Sequence, residues 1–230
     1  MDAADPIVIA VDGPSAVGKG TASRELARRL GFLHVDTGAM YRALTWHCQQ
    51  QGLVPADEEG RELTHDQAAA VAQECTHWPV KLTPKLGHLE VLVGDRCLHD
   101  ELRSGRVTKY VARVSHVPGV RGWMLGFQRD CLRFGSLVMD GRDIGTRIFR
   151  ETPFKFYLTA DPAVRRARGQ NAGHGGGSDF RDAIDADLNY PAADATVVDT
   201  STITAAQAVE RILEELRRLA PARFPARNGG

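Results

Sequence analysis

The sequence predicts an α/β fold on a mainly parallel sheet, and three observations carry that expectation. Short β-branched runs alternate with amphipathic segments along most of the 230 residues, and strands separated by helices are joined by crossovers that leave them parallel. A glycine-rich turn, Gly13-Pro14-Ser15-Ala16-Val17-Gly18-Lys19-Gly20-Thr21, stands between the first apolar run and the first amphipathic one. Polar residues follow several strands at their carboxyl ends, the edge where open parallel sheets bind ligands.

In chain order, Ile7-Val8-Ile9-Ala10-Val11 reads as a buried strand that ends at the Gly13 turn. A helix from about Gly20 to Leu30 carries Ala22, Leu26, Ala27 and Leu30 on one face, with Gly31 as its stop. Phe32-Leu33-His34-Val35 is a second strand ending in Asp36-Thr37-Gly38, and a helix from about Ala39 to Gln50 stops before Gly52. The pattern then changes. A short helix is expected at Ala68–Ala72, after which Trp78–Thr83 and Leu89–Val93 alternate apolar and polar residues, and Gly94-Asp95 turns the chain into Arg96-Cys97-Leu98. This reads as an antiparallel insertion spanning about 60–105. Helices at 107–117 and 119–133 are separated by Pro118. Strands follow at Leu137-Val138-Met139-Asp140 and Phe154–Leu158, then a basic helix begins at Pro162–Arg168. The glycine-rich stretch 169–178 reads as mobile, Thr196-Val197-Val198 as a fifth core strand, and Ala205–Leu219 as a closing helix before a tail expected to be disordered.

A strand, a glycine-rich loop and a helix in that order make a phosphate cradle. Backbone N–H groups point into the loop, the helix N-terminus adds partial positive charge, and Lys19 supplies a full one. The loop residues Gly13 to Thr21 are therefore expected to bind a nucleoside triphosphate. Composition narrows the class. Lys+Arg and Asp+Glu both number 29, so no net positive charge recommends nucleic acid as a partner. Cys48, Cys75, Cys97 and Cys131 are far apart, with neither a C-x-x-C pair nor metal-ligand spacing, and read as reduced thiols. No stretch has the length of a membrane span and no leader-like run follows Met1, so the expectation is cytoplasmic. The eight histidines are scattered without a Ser or Cys nucleophile, which argues against a hydrolase triad; Trp46, Trp78 and Trp123 read as core residues.

The G-K-G-T ending of the loop resembles nucleoside monophosphate kinases. Further segments resemble bacterial cytidylate kinases: Asp36-Thr37-Gly38-Ala39-Met40-Tyr41-Arg42, Leu102-Arg103-Ser104, Val120-Arg121 with Gln128-Arg129, and Asp140-Gly141-Arg142-Asp143-Ile144-Gly145-Thr146. The resemblance runs from about residue 7 to 168 and resumes at 191–201. It implies a three-layer P-loop NTPase fold with a five-stranded parallel sheet. Core segments would lie at 6–59, 106–168 and 191–220, with a monophosphate-binding insertion at about 60–105 and a short lid at about 169–190. The implied reaction is Mg²⁺-assisted transfer of the ATP γ-phosphoryl group to CMP or dCMP by a monomeric enzyme.

The resemblance also implies roles. Lys19, Arg142 and Arg181 would be catalytic, and Arg165 and Arg168, on the helix entering the lid, would join the loop in binding ATP. Arg42, Arg121 and Arg142 would hold the acceptor monophosphate or base, helped by the Thr37 hydroxyl, with Asp143 accepting from the cytosine amino group. Arg181 would reach phosphoryl oxygens and Asp185 the acceptor's ribose hydroxyls. Guanidinium forks suit such a site because they bind phosphate oxygens bidentately. For the metal, Thr21 offers the hydroxyl and Asp140 the carboxylate; Asp36 rivals Asp140, and a capping or turn role competes for both.

Two departures stand out. Ile184 occupies the place of a second lid arginine, and the segment after Asp185 is shortened; Ala112 stands where a small hydroxyl residue is expected near the base. They leave room for alternatives: a nucleotide-binding regulator with weakened catalysis, or a P-loop kinase of another small anionic acceptor such as UMP.

Overall fold

A computed structural model describes residues 5–171 and 184–225. The strands are β1 (Val8–Asp12), β2 (Leu33–Asp36), β3 (Val80–Lys85), β4 (His88–Val93), β5 (Arg96–Cys97), β6 (Leu137–Asp140), β7 (Lys155–Thr159) and β8 (Thr196–Asp199). The α-helices are α1 (Lys19–Leu30), α2 (Thr37–Gln50), α3 (His65–Glu74), α4 (Gly105–His116), α5 (Pro118–Arg129), α6 (Pro162–Asn171) and α7 (Ala205–Leu219). Short helical turns lie at Asp100–Arg103, Asp130–Phe134 and Ile144–Ile148.

The sheet runs β3-β4-β2-β6-β1-β7-β8, with β5 on the other edge of β4. Its five parallel strands are β2, β6, β1, β7 and β8. The central strands β1 and β6 are buried on both faces, which is why they read as continuous apolar runs, whereas the edge strand β8 leaves Val197 exposed. Strand alternation divides them between two cores. Val8 and Ala10 of β1 join Leu137 and Met139 of β6 in a core that takes Met40 and Leu44 from α2, Val107 and Tyr110 from α4, and Met124 from α5. Ile9, Val11 and Val138 face the other way, against Leu26 and Ala27 of α1 and Val209, Ile212 and Leu216 of α7. Each such Val, Leu, Ile or Met side chain, fully buried, contributes on the order of 1.5–3 kcal/mol. Trp46 and Trp78 are buried in the first core, with Trp123 packed against it.

Helix ends follow local chemistry. The α1 helix stops at Gly31, whose φ of 69° lets its N–H reach back to Ala27 O. Asp36 caps α2 by accepting from Ala39 N, and Thr204 with Gln207 forms a capping box at α7.

Three details differ from the sequence expectation. The insertion is antiparallel within itself, β3 pairing with β4 and β4 with β5, yet β4 also lies parallel to β2, with His34 opposite His88. The insertion strands thus continue the core sheet, because Leu89, Val91 and Val93 bury their face in the same core as α2. The helix expected at Ala68–Ala72 extends over His65–Glu74 behind a Thr64–Gln67 capping box. The chain just past α7, expected to be disordered, is held as far as Phe224. Its ring is buried and meets Phe154 edge-on at 5.3 Å and Phe32 at 6.5 Å.

Candidate active site

The loop after β1 is shaped by backbone constraints. A Cβ at Gly13 would lie 2.1 Å from Leu158 O on the neighbouring strand, so only glycine lets the chain leave the sheet there. Val17 is buried in the α1-side core and Thr200 Oγ1 donates to its carbonyl at 2.9 Å, so this residue presents no side chain to a ligand. Gly18, with φ 91°, leads into α1, and Lys19 is its first residue. Lys19 is only 8% exposed, and its Nζ donates to Pro14 O at 2.5 Å, curling the ammonium over the loop. The loop amides, the α1 N-terminus and this cation converge on one space, the arrangement that binds phosphate.

Facing the loop are residues from the ends of β2 and β6 and from α2 and α5. Thr37 opens α2 and donates its hydroxyl to Asp140 O at 2.8 Å. Arg42, farther along α2, donates through Nη1 to Leu102 O at 3.1 Å and Thr108 Oγ1 at 3.2 Å. Arg121 on α5 pairs with the Asp143 carboxylate and reaches Ser115 O at 3.4 Å. Arg142 spans the gap: Nη2 donates to Ser15 Oγ at 2.8 Å, Nη1 to Gly13 O at 3.2 Å, and Nε to Asp185 Oδ2 at 3.3 Å. Asp143 stands at the start of the Ile144–Ile148 turn without capping it; its carboxylate goes to Arg121 instead.

Two acids lie side by side at the strand ends, Asp36 opposite Asp140 in the β2–β6 register. Asp140 Oδ2 is 2.7 Å from His34 Nε2 in a buried pair. Burial, and then the Asp140 charge, push the Asp36 carboxyl above its ordinary range. A third acid, Asp12 at the end of β1, accepts from Ile144 N at 2.8 Å and Gly145 N at 2.7 Å with its two oxygens. Burial raises its carboxyl to about 6 despite those bonds. Asp12 thus ties the phosphate loop's strand to the turn that follows Arg142 and Asp143.

Lys19, Asp36, Thr37, Arg42, Arg121, Asp140, Arg142 and Asp143 line one cleft of about 540 Å³, while Asp12 and His34 are not among its walls. Of the residues expected from sequence, it brings together Ser15, Ala16, Gly18, Lys19, Gly20, Thr21, Thr37, Arg42, Arg121, Asp140, Arg142, Asp143, Arg168 and Asp185. Arg168 also donates to Thr200 O at 2.6 Å and Thr200 Oγ1 at 3.1 Å, which anchors α6 to the end of β8. Gly13, Pro14 and Val17 shape the loop from behind without lining the cleft, and Arg165 is likewise absent from its walls. Arg181 lies outside the described residues.

The sequence reading passed over Asp12, Tyr41, Arg103 and Ser115. The last three line the cleft. Tyr41 and Arg103 stand inside the recognised segments, which was the available signal; Ser115 and Asp12 had none. Burial pushes the Tyr41 phenol up to about 12, so it remains a neutral hydroxyl beside Arg121 and Asp143. The donor set also suits a hard divalent cation. Asp36, Asp140 and Thr21 offer oxygen ligands beside the phosphate loop, and the repulsion between the two acids is what such a charge relieves.

A phosphate loop at the head of a helix, facing three arginines across a cleft at the carboxyl edge of a parallel sheet, defines a P-loop phosphotransferase of the nucleoside monophosphate kinase kind. The profile of the cytidylate kinase family matches residues 9–218. A cytidylate kinase of Corynebacterium efficiens is 36% identical over 224 residues, covering 90% of this chain and 93% of the relative. Those of Mycobacterium leprae and an Exiguobacterium species are 35% and 34% identical, covering 92% and 91% of this chain and 96% and 97% of their own. The chain belongs to the cytidylate kinase family.

Proposed function

We propose that this enzyme transfers the γ-phosphoryl group of ATP to CMP or dCMP, giving ADP and CDP or dCDP. The observation that carries the proposal is a shared cleft walled on one side by the loop and Lys19 and on the other by Arg42, Arg121 and Arg142. Phosphoryl transfer asks little covalent chemistry of a protein. It needs two polyanions held in line and the charge on the migrating group neutralised.

The loop amides and Lys19 take the triphosphate, and Arg168 flanks them. Arg42 and Arg121 take the acceptor phosphate. Arg142 already reaches Ser15 of the loop and Asp185 of the lid segment, so it sits where donor and acceptor meet. An acceptor phosphate oxygen forms the new bond to the γ-phosphorus as the bond to the β–γ bridging oxygen breaks, and ADP leaves with that electron pair. The acceptor oxygen is already anionic, so no strong base is required. Asp143, oriented by Arg121, accepts from the exocyclic amino group of cytosine, a donor that uracil lacks. Asp185 serves the ribose hydroxyls, and Arg181 adds positive charge from the lid. Thr21, Asp140 and Asp36 would hold Mg²⁺, which would supply neutralisation of phosphate charge.

A panel of CMP, dCMP, UMP, AMP and shikimate with ATP and Mg²⁺, read by ADP release and by product chromatography, tests the reading. CMP and dCMP are expected to be phosphorylated well ahead of the rest. ADP release without a phosphorylated pyrimidine nucleotide rejects it.

A further inference from the structure

The edge hairpin carries a side-chain cluster that phosphoryl transfer does not use. Along β4 the burial alternates: Leu89, Val91 and Val93 turn inward, while His88, Glu90 and Leu92 occupy the other face. Cys97 of β5 stands opposite Leu92 and therefore shares the Glu90 face. Two residues later the chain brings His99 back beside it, with His99 Nε2 3.4 Å from Cys97 Sγ. The ligand atoms of Glu90, Cys97 and His99 all lie within 4.8 Å of one another.

We propose that Glu90, Cys97 and His99 form a zinc(II) site, with water as the fourth ligand. Zinc held tetrahedrally, with Zn–S about 2.3 Å and Zn–N about 2.0–2.1 Å, separates sulfur from nitrogen by roughly 3.5 Å. The observed 3.4 Å is already that edge. A thiolate and an imidazole select zinc over magnesium, whose preference is for oxygen, so this site and the nucleotide cleft call for different ions. On binding, the Cys97 thiol proton passes to solvent and the sulfur donates to the metal.

Lys85 is the competitor. Its Nζ lies 3.0 and 3.1 Å from the Glu90 carboxylate oxygens. Its side chain is half exposed on a flexible stem, so the ammonium turns into water when the metal takes Glu90. Glu101 braces the turn, accepting from His99 N at 3.2 Å while pairing with Arg96 at 2.7 Å.

The position of the site gives it a consequence. Glu90 and His99 line a second cleft of about 560 Å³, which shares Arg24, Asp36 and Arg103 with the nucleotide cleft. The segment following His99 contains Leu102, whose carbonyl receives Arg42. An ion joining Glu90 to Cys97 and His99 therefore fixes the stretch that supports Arg42.

Cobalt(II) and zinc(II) titrations of the chelator-stripped full chain test the proposal. Cys48, Cys75 and Cys131 are buried, so a thiolate-to-cobalt charge-transfer band reports on Cys97. The expected result is such a band saturating at one equivalent, displaced by zinc, and absent from Cys97→Ser. His99→Gln is expected to weaken zinc at least about tenfold. Lys85→Ala, which frees Glu90, is expected to tighten it several-fold, a gain that misfolding does not produce. Absence of the band from the unaltered chain, its persistence in Cys97→Ser, or unchanged zinc affinity in His99→Gln overturns the site. Unchanged or weaker binding by Lys85→Ala removes Glu90 from the ligand set and overturns it as stated.

Discussion

Single residues in the cleft are placed for charge. Lys19 is buried at the head of α1, within the space into which the loop amides point. Lys19→Ala is expected to lower kcat by roughly 10²–10³ while leaving the fold intact, measured by coupled ADP release and by circular dichroism. Asp143 belongs to discrimination. Its carboxylate is oriented by Arg121 and leads the turn after β6, so Asp143→Asn is expected to cost CMP about 1–3 kcal/mol of its advantage over UMP, read as the ratio of kcat/KM values. An unaltered ratio would place base recognition elsewhere in the cleft. Gly13 is placed by geometry alone: the 2.1 Å approach of a Cβ to Leu158 O leaves no relaxation short of parting β1 from β7. Gly13→Ala is expected to yield little folded protein.

At the scale of elements, the site depends on how the turn Ile144–Ile148 is pinned. Asp12 does this with two backbone N–H bonds, and burial nevertheless holds its carboxyl at about 6, above an unfolded value near 3.8. The folded state therefore binds this proton more tightly than the unfolded chain. The resulting stabilisation is complete below the unfolded pKa and is lost as pH rises through about 6. The wild-type advantage over Asp12→Asn is expected to shrink by roughly 2 kcal/mol between about pH 4 and about pH 7, measured by urea unfolding. Because Asp12 acts through the turn, the variant is also expected to raise the KM for CMP more than the KM for ATP. Equal effects on both nucleotides would mean that Asp12 supports the loop alone.

The whole molecule is a sheet with a helical layer on each face, and the insertion extends that sheet instead of standing apart from it. The cleft lies along the carboxyl edges of β1, β2 and β6. Phe224 fastens the chain after α7 to Phe32 and Phe154 on the α1 side. Phe224→Ala is expected to lower unfolding stability by about 3 kcal/mol, with kcat per folded molecule preserved, as shown by thermal unfolding alongside initial rates. A fall in kcat without a fall in stability would tie the terminus to the reaction instead.

Local pattern alone determined much of this protein. The loop from Gly13 to Thr21, the alternation of apolar runs with amphipathic segments, and the polar residues ending several strands were legible because secondary-structure period and turn chemistry are written in neighbouring residues. That Arg42, Arg121 and Arg142 share one cleft was implied by the resemblance of several short segments, in order, to cytidylate kinases. Other features were decided only by tertiary contact. His34 meets Asp140 across 106 positions, Asp12 reaches Ile144 across 132, and Arg142 reaches Ser15 across 127. No period in the sequence links such partners: the crossovers of a parallel sheet bring together strand ends that are remote in the chain, and the burial that results fixes which acids pair, which are pushed from their ordinary pKa, and which cations face the gap.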